Sequence, residues 1–185
     1  MKFLYPIKQR LGKRKIEKFL LQQRRRATVS NFDSAKSIGI IYSITTTDYQ
    51  DIVEKYVDFL KGEIGFKKIV VLGYYDGSQL PNFIINQSLR YQYFTNKMVD
   101  FFFQGNTKEV TNFIKEDFDV LVDLSEVFQV PIKHAVAHSK AGFKIGRLTQ
   151  ENEKYYDFMV EIPANTPVTK FITQVNIFLT QVNPK

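Results

Sequence analysis

The sequence predicts an α/β fold: a three-layer, mostly parallel, Rossmann-like sheet with helices on both faces, preceded by a basic helical N-terminal arm. Three observations predict this class. Short apolar runs rich in β-branched residues alternate with segments of helical periodicity from residue 36 onward. The mostly apolar run FDVLVDLS at 118–125 is typical of a strand buried on both faces, and it is the predicted central strand. The excess of positive charge lies in the first 26 residues.

The first half of the domain reads as a strand, a helix and a second strand. The predicted bounds are a strand at 37–44, a helix from Thr47 or Asp48 to Gly62 or Gly65, and a strand at 67–73. Apolar side chains recur in that helix at three- and four-residue spacing, and Thr47 or Asp48 supplies its N-cap. A helix between consecutive strands makes a right-handed crossover, so the two strands are expected to be parallel.

The second half continues the alternation around the central strand. The predicted elements are a short strand at 90–95, a helix opened by Thr107, a helix at 131–140, strands at 143–147 and 156–162, and a last helix capped by Thr166-Pro167. Pro131 at the first helical position and Gly142 just past the end favour the helix at 131–140. The order of the strands within the sheet cannot be read from the pattern.

The charge is divided sharply along the chain. Residues 1–26 hold ten Lys/Arg and one acid, a net charge of +9, whereas the remaining 159 residues hold 16 Lys/Arg and 18 Asp/Glu, a net charge of −2. We therefore divide the chain into an arm and linker at 1–35 and an α/β domain at 36–185. The arm can form a helix at 13–23, but its apolar stripe is short, so we expect it to order only on its own body or on a polyanion.

Composition excludes several classes of protein. No run of 18 apolar residues is present, which excludes a transmembrane helix, and the N-terminus has no apolar stretch of signal-peptide length. The chain has no Cys, which excludes disulfides and thiolate chemistry. We expect a cytoplasmic location and no membrane partner.

A ligand cleft is predicted where the strands end, because ligands of open parallel sheets bind outside the carboxyl ends of the strands. Carboxylates, hydroxyls and one guanidinium gather at these ends and could hold a sugar or a phosphate. The residues are Ser43, Thr45, Tyr74, Asp76, Asp123, Ser125, Glu126 and Arg147. The alternative is that these residues only cap helices and shape turns, as such residues usually do.

The common catalytic and nucleotide-binding motifs are missing. The chain has no G-x-G-x-x-G after the first strand, no G-x-x-x-x-G-K-S/T and no G-x-S-x-G. His134 and His138 share a helix face at a spacing that zinc sites use, but Ala135 stands where a catalytic glutamate is needed and no third ligand is identifiable. We therefore expect no metal, no cofactor and no catalytic residues.

The basic arm predicts binding to RNA. Basic N-terminal arms bind nucleic acids because Lys and Arg displace condensed counterions from phosphates. The predicted phosphate contacts are Lys8, Arg10, Lys13, Arg14, Lys15, Lys18, Arg24, Arg25 and Arg26. No helix-turn-helix or zinc finger is visible, so sequence-specific DNA reading is not expected. A solvated tail, a helix docked on the body and a membrane-surface segment remain as alternatives.

One part of the sequence is rich in aromatic residues. Tyr91, Tyr93, Phe94 and residues 101–103 could stack on bases, fill the core or cover a sheet edge. In a protein that binds only other proteins, this stretch would be the contact surface.

Five motifs carry a resemblance to a known family. They are NFxSAK at 31–36, LGY at 72–74, FDVLVDLS at 118–125, AxSKAxFKxG at 137–146 and YYDxM at 155–159. Over nearly the whole chain they resemble an uncharacterised domain-of-unknown-function family of short bacterial α/β proteins. The resemblance implies a three-layer α/β body behind a basic N-terminal arm and brings no catalytic residues. The segments FDVLVDL and AGFKIGR are also similar to the N-terminal half of heptosyltransferase-like glycosyltransferases, whose second nucleotide-binding lobe has no counterpart here.

The leading hypothesis is a non-enzymatic RNA-binding accessory protein associated with the ribosome, with ribosomal RNA and ribosomal proteins as partners. The alternative is an enzyme for a small molecule or sugar nucleotide that uses the strand ends near Asp123 and Glu126. The sequence does not indicate an oligomeric state.

Overall fold

Eleven helices and strands build the part of the chain that the computed structural model describes, residues 5–84, 90–163 and 165–184. In order they are α1 (Tyr5–Gln22), β1 (Ser37–Ser43), α2 (Thr47–Gly62), β2 (Lys68–Tyr75), β3 (Tyr91–Thr95), α3 (Lys108–Lys115), β4 (Val120–Asp123), α4 (Val130–His138), β5 (Phe143–Arg147), β6 (Phe158–Val160) and α5 (Val168–Gln181). A short 3-10 helix at Asn96–Met98 follows β3. The predicted α/β class, with a helical N-terminal segment, is confirmed.

The strands form one six-stranded sheet in the order β3-β2-β1-β4-β5-β6. Every neighbouring pair is parallel. β1 and β4 lie at the centre, and every residue of both is buried, which explains why their sequences are mostly apolar. The strand order reverses between β1 and β4, so this is the doubly wound topology, whose crevice opens at the carboxyl ends of these two strands.

Helices α2 and α5 cover one face of the sheet. The side chain of Thr46 accepts a hydrogen bond from the backbone N–H of Tyr49, which makes Thr46 the N-cap of α2. The apolar stripe of α2 joins Phe171, Val175 and Leu179 of α5 in one core cluster with the sheet. The apolar side chains whose spacing predicted these helices therefore face the sheet.

Helices α1, α3 and α4 cover the opposite face. All residues of α4 from Val130 to Ala137 are buried, because α4 lies between the sheet and α1. Ile16 of α1 has no exposed surface and belongs to this second cluster. Helix α1 also packs closely against the backbone at Phe102: a Cβ on Gly12 would lie 2.3 Å from the carbonyl oxygen of that residue. The arm helix is therefore a structural layer of the fold.

The segment that follows α1 is also held by the body. The backbone N–H of Thr28 donates to the carbonyl of Gly142, and that of Phe32 donates to the carbonyl of Leu179. The arm helix is longer than predicted, since it starts at Tyr5, and it orders on its own body, one of the two expected supports. Gly142 does not cap α4, which ends at His138; its N–H donates to the carbonyl of Phe118 instead.

Candidate nucleic-acid interface and strand-end pocket

Four of the nine predicted phosphate contacts are engaged by the protein itself. Lys8 lies 4.5 Å from the centroid of the Phe101 ring. The Nζ of Lys13 pairs with Glu151 at 2.7 Å, and the Nζ of Lys15 donates to Gln104 at 2.9 Å. These three cations hold α1 against the loops on its flank and are not available to a ligand without giving up those contacts.

Arg25 is the fourth engaged cation. Its Nη1 donates to the carbonyls of Ala141 and Gly142 at 3.1 and 2.8 Å, while its Nη2 pairs with Asp157. Asp157 in turn accepts the backbone N–H of Lys144 at 2.8 Å. A guanidinium fork shared between carbonyls and a carboxylate is a strong, geometrically fixed contact. Arg25 therefore fixes the end of the arm to the start of β5.

The other five cations form an outward surface, which we call the outer basic face. It consists of Arg10, Arg14, Lys18, Arg24 and Arg26. All five are exposed, and none forms an ion pair or a side-chain hydrogen bond with a residue that the structure describes. The first three are spaced by four residues, so they line one side of α1 at steps of about 6 Å. Leu21 lies beside them with 88% of its surface exposed.

The predicted cleft residues do not form a single site. Ser43 is buried, and its hydroxyl donates to Gln129 Oε1 at 2.6 Å. Tyr74 is buried and donates to Asp76 at 3.3 Å, and Asp76 is exposed. Thr45 is exposed in the turn after β1. Two of the polar side chains that the sequence places at the strand ends, Ser43 and Tyr74, are thus hydrogen-bonded to neighbouring side chains.

Asp123 belongs to a buried polar cluster that also contains Lys133 and Tyr156. Lys133 Nζ lies 2.9 Å from Asp123 Oδ2 and 2.5 Å from the Tyr156 hydroxyl, which donates to the same carboxylate oxygen at 2.5 Å. The Lys133 and Asp123 side chains are 2% and 1% exposed. Burial, together with the nearby Asp123, raises the pKa of Tyr156 well above its usual value. This cluster is closed to solvent and acts as internal support for α4.

Sequence reasoning missed Lys133 and Tyr156. The available signal was a single lysine inside the apolar helix α4, which is compatible with a buried partner carboxylate. A ring at Tyr156 also packs over Gly146, where a Cβ would lie 2.5 Å from the ring. Pairing of these residues depends on α4 and the segment before β6 meeting on the same face of the sheet, which the local pattern does not encode.

Glu126 and Arg147 are predicted cleft residues that lie together at an open pocket. They line a pocket of about 410 Å³ at the carboxyl ends of β4, β5 and β6. Arg147 Nη2 lies 3.7 Å from Glu126 Oε1, and the guanidinium carbon lies 4.9 Å from the centroid of the Phe171 ring. Ser125, just before Glu126, is buried, and its hydroxyl has no hydrogen-bond partner among the described residues.

The two histidines lie between α4 and α1. The ring of His138 stacks on Phe19 at 3.8 Å between centroids, and its Nδ1 lies 2.9 Å from the carbonyl of His134. Burial lowers the pKa of His134 to about 3. In the described ranges, no group of three or more His, Cys, Asp or Glu residues is arranged to hold a metal ion. The stacked rings of His138 and Phe19 pack α4 against α1.

Three of the six residues in the aromatic stretch are buried. Tyr91 and Phe94 are buried in the two core clusters. Phe103 takes a left-handed backbone conformation with φ of 59° and meets Tyr5 edge-to-face at 5.1 Å. Phe101 is 50% exposed and lies under Lys8. Phe101 and Phe103 therefore contact the first turn of α1.

Within the described residues, no helix combines the length and apolar character needed to cross a bilayer.

The chain belongs to a family of unknown function, DUF6913, whose model matches residues 8–182. The match begins inside α1 and runs through α5, so the arm helix lies within the family's domain. Neither a curated protein nor a solved structure matches the chain significantly. The likeness to heptosyltransferase-like glycosyltransferases stays a prediction.

Proposed function

We propose that this DUF6913 protein is a non-enzymatic RNA-binding accessory protein of the ribosome, and that it contacts ribosomal RNA through the outer basic face. One observation carries the proposal. A helix packed rigidly on the body presents Arg10, Arg14 and Lys18 on its outer side, and Arg24 and Arg26 extend this surface, without a carboxylate partner among the described residues.

The energetics of the outer basic face support an external polyanion. Like charges spaced by four residues on a helix repel one another and destabilise it slightly. Inside the protein, carboxylates are placed against Lys13 and Arg25 but not against these five cations. A phosphate backbone relieves the repulsion and releases its own condensed counterions.

Docking of α1 adds to the expected affinity. A disordered basic arm loses conformational freedom when it binds RNA, and that loss reduces the affinity. Here Ile16 is fully buried and Gly12 lies against the Phe102 backbone, so the helix is already ordered. The body, with a net charge of −2 over 159 residues, adds little general attraction. RNA is therefore expected to contact α1 and the segment after it.

The test is the salt dependence of RNA binding. With five phosphates neutralised, the slope of log K against log salt is about −3.5 to −4.5, so affinity falls roughly 100- to 500-fold between about 50 and 200 mM salt. The variant Arg10→Gln/Arg14→Gln/Lys18→Gln should bind more weakly and show a slope reduced by about 2 to 3. Fluorescence anisotropy with a labelled ribosomal RNA fragment measures both quantities.

A matched control removes the same number of exposed positive charges from the body. Lys61→Gln/Lys67→Gln/Lys170→Gln leaves α1 intact, and we expect its RNA affinity and salt slope to equal those of the wild type. A flat salt dependence in the wild type, or equal losses in both triple variants, contradicts the role of the outer basic face.

The ribosomal part of the proposal has its own measurement. In a sucrose gradient of cell lysate at low salt, the native protein should sediment with ribosomal particles, and at high salt it should return to the top of the gradient. If the protein stays at the top of the gradient at low salt but still binds RNA in vitro, RNA binding stands and the association with the ribosome is refuted.

A further inference from the structure

The strand-end pocket is a second site that the RNA proposal does not use. Its volume of about 410 Å³ lies in the range of small-molecule sites, roughly 300–1,000 Å³. Its walls come from the turns after β4, β5 and β6 and from the approach to α5. The lining residues that matter here are Glu126, Arg147, Thr149, Asn165 and Thr166.

Arg147 is the distinctive group of this pocket. Its side chain is only 10% exposed, and neither Nε nor Nη2 has a hydrogen-bond partner among the described residues. An arginine cannot lose its proton in a protein, so a buried guanidinium with two nitrogens that lack hydrogen-bond acceptors carries a desolvation cost. The ring of Phe171 beside it, at 4.9 Å, offsets part of that cost but supplies no acceptor.

Glu126 does not satisfy the guanidinium. Its Oε1 lies 3.7 Å from Arg147 Nη2, which is beyond hydrogen-bond distance, and its side chain is 45% exposed. Nε and Nη2, the two nitrogens without a hydrogen-bond partner, lie along one edge of the guanidinium and have almost no exposed surface, so a ligand reaches them only when a neighbouring side chain moves. That edge is the one that binds two oxygens of a phosphate or a carboxylate at once.

We infer that this pocket binds a small phosphorylated polyol, whose phosphate displaces the half-exposed Glu126 side chain and takes its place on the Nε/Nη2 edge of Arg147. A phosphate supplies the two acceptor oxygens that the guanidinium lacks. Hydroxyl groups of the same ligand suit the rest of the lining, because Glu126 accepts hydrogen bonds while Thr149 and Thr166 both accept and donate them. A carboxylate would satisfy the guanidinium in the same way, so the experiment includes one.

The test is ligand-dependent thermal stability, with ribose 5-phosphate, inorganic phosphate, gluconate and ribose as probes. At a hundredfold excess over its dissociation constant, ribose 5-phosphate should raise the melting temperature by about 5 to 10 °C. Ribose, which lacks the oxyanion, should give no shift. If only gluconate shifts the melting temperature, the phosphate assignment is overturned; if inorganic phosphate matches ribose 5-phosphate, the polyol part is overturned.

Two substitutions in the pocket should act in opposite directions. Arg147→Met should weaken ribose 5-phosphate binding by about 10- to 100-fold, because it removes hydrogen bonds to a charged group. Glu126→Gln keeps an acceptor oxygen for the hydroxyl groups of the ligand but removes the negative charge that competes with the phosphate for the guanidinium, so this variant should bind ribose 5-phosphate more tightly than the wild type. If Arg147→Met does not fold, Arg147→Lys replaces it, since a lysine keeps the charge but loses the paired nitrogens.

The proposal is overturned if no probe stabilises the wild type, or if Arg147→Met, or Arg147→Lys in its place, binds ribose 5-phosphate as tightly as the wild type. A surface control, Lys61→Met, should leave binding unchanged. The triple variant of the outer basic face should keep its thermal shift, and the Arg147 variant should keep its RNA affinity. The two proposals therefore fail separately.

Discussion

The docking of α1 can be tested by truncating the side chain that it buries most deeply. Ile16 has no exposed surface and packs in the cluster that contains Val130 and Ile132 of α4. Ile16→Ala removes three carbons, which is about 2.4 kcal/mol at roughly 0.8 kcal/mol per buried methylene. The cavity left behind brings the expected loss in the free energy of unfolding to about 3 to 4 kcal/mol.

Leu21 provides the matched control on the same helix. It is 88% exposed, so Leu21→Ala should change the free energy of unfolding by less than about 0.5 kcal/mol. Urea unfolding followed by circular dichroism measures the free energy of unfolding of both variants. In thermal unfolding, Ile16→Ala should lower the melting temperature by about 6 to 16 °C. A loss below about 1 kcal/mol for Ile16→Ala, or a separate early transition in the wild type, would refute the view that α1 is a layer of the core.

Three further outcomes follow from buried groups and can be measured by the same unfolding experiments. Gly12→Ala should destabilise the protein although alanine favours helices, because the new Cβ would meet the Phe102 carbonyl. Gly62→Ala is the control: it has open space around it and should be neutral or stabilise the protein by up to about 1 kcal/mol. Destabilisation by both variants would contradict this reasoning. Lys133→Met should lower the free energy of unfolding by about 3 to 5 kcal/mol, because it leaves the buried Asp123 carboxylate without its positive partner. Adding Asp123→Leu should recover part of that loss. If the losses of the two single variants simply add in the double variant, the pairing is refuted. Burial lowers the pKa of His134 to about 3, below its unfolded value of about 6.5, so the unfolded state binds more protons between these values. Stability should therefore be full above about pH 6.5 and fall towards pH 3, and His134→Gln should flatten that slope; an unchanged slope would assign the acid sensitivity to other groups.

The α/β class, the position of the central strand and most element bounds were predictable because they depend on local patterns. β5 was predicted at 143–147 and observed at Phe143–Arg147. Thr107 was predicted to open a helix and is the N-cap of α3. In each case, side chains a few residues apart decide the outcome, so the physical information lies within one stretch of sequence. The prediction that Gly142 lies just past the end of α4 was wrong. The helix ends at His138, and the N–H of Gly142 donates to the carbonyl of Phe118, which is distant in sequence.

The amino-acid sequence by itself also settled the charge division, since a count of residues needs no coordinates. It did not show which of those charges are engaged. Arg25 meets Asp157 across 132 positions, and Lys13 meets Glu151 across 138. Such pairings depend on which elements become neighbours when the sheet assembles, and strand order carries no local signature. Packing of the chain therefore decided that five of the nine predicted phosphate contacts face outward and that Arg147 and Glu126 share a pocket.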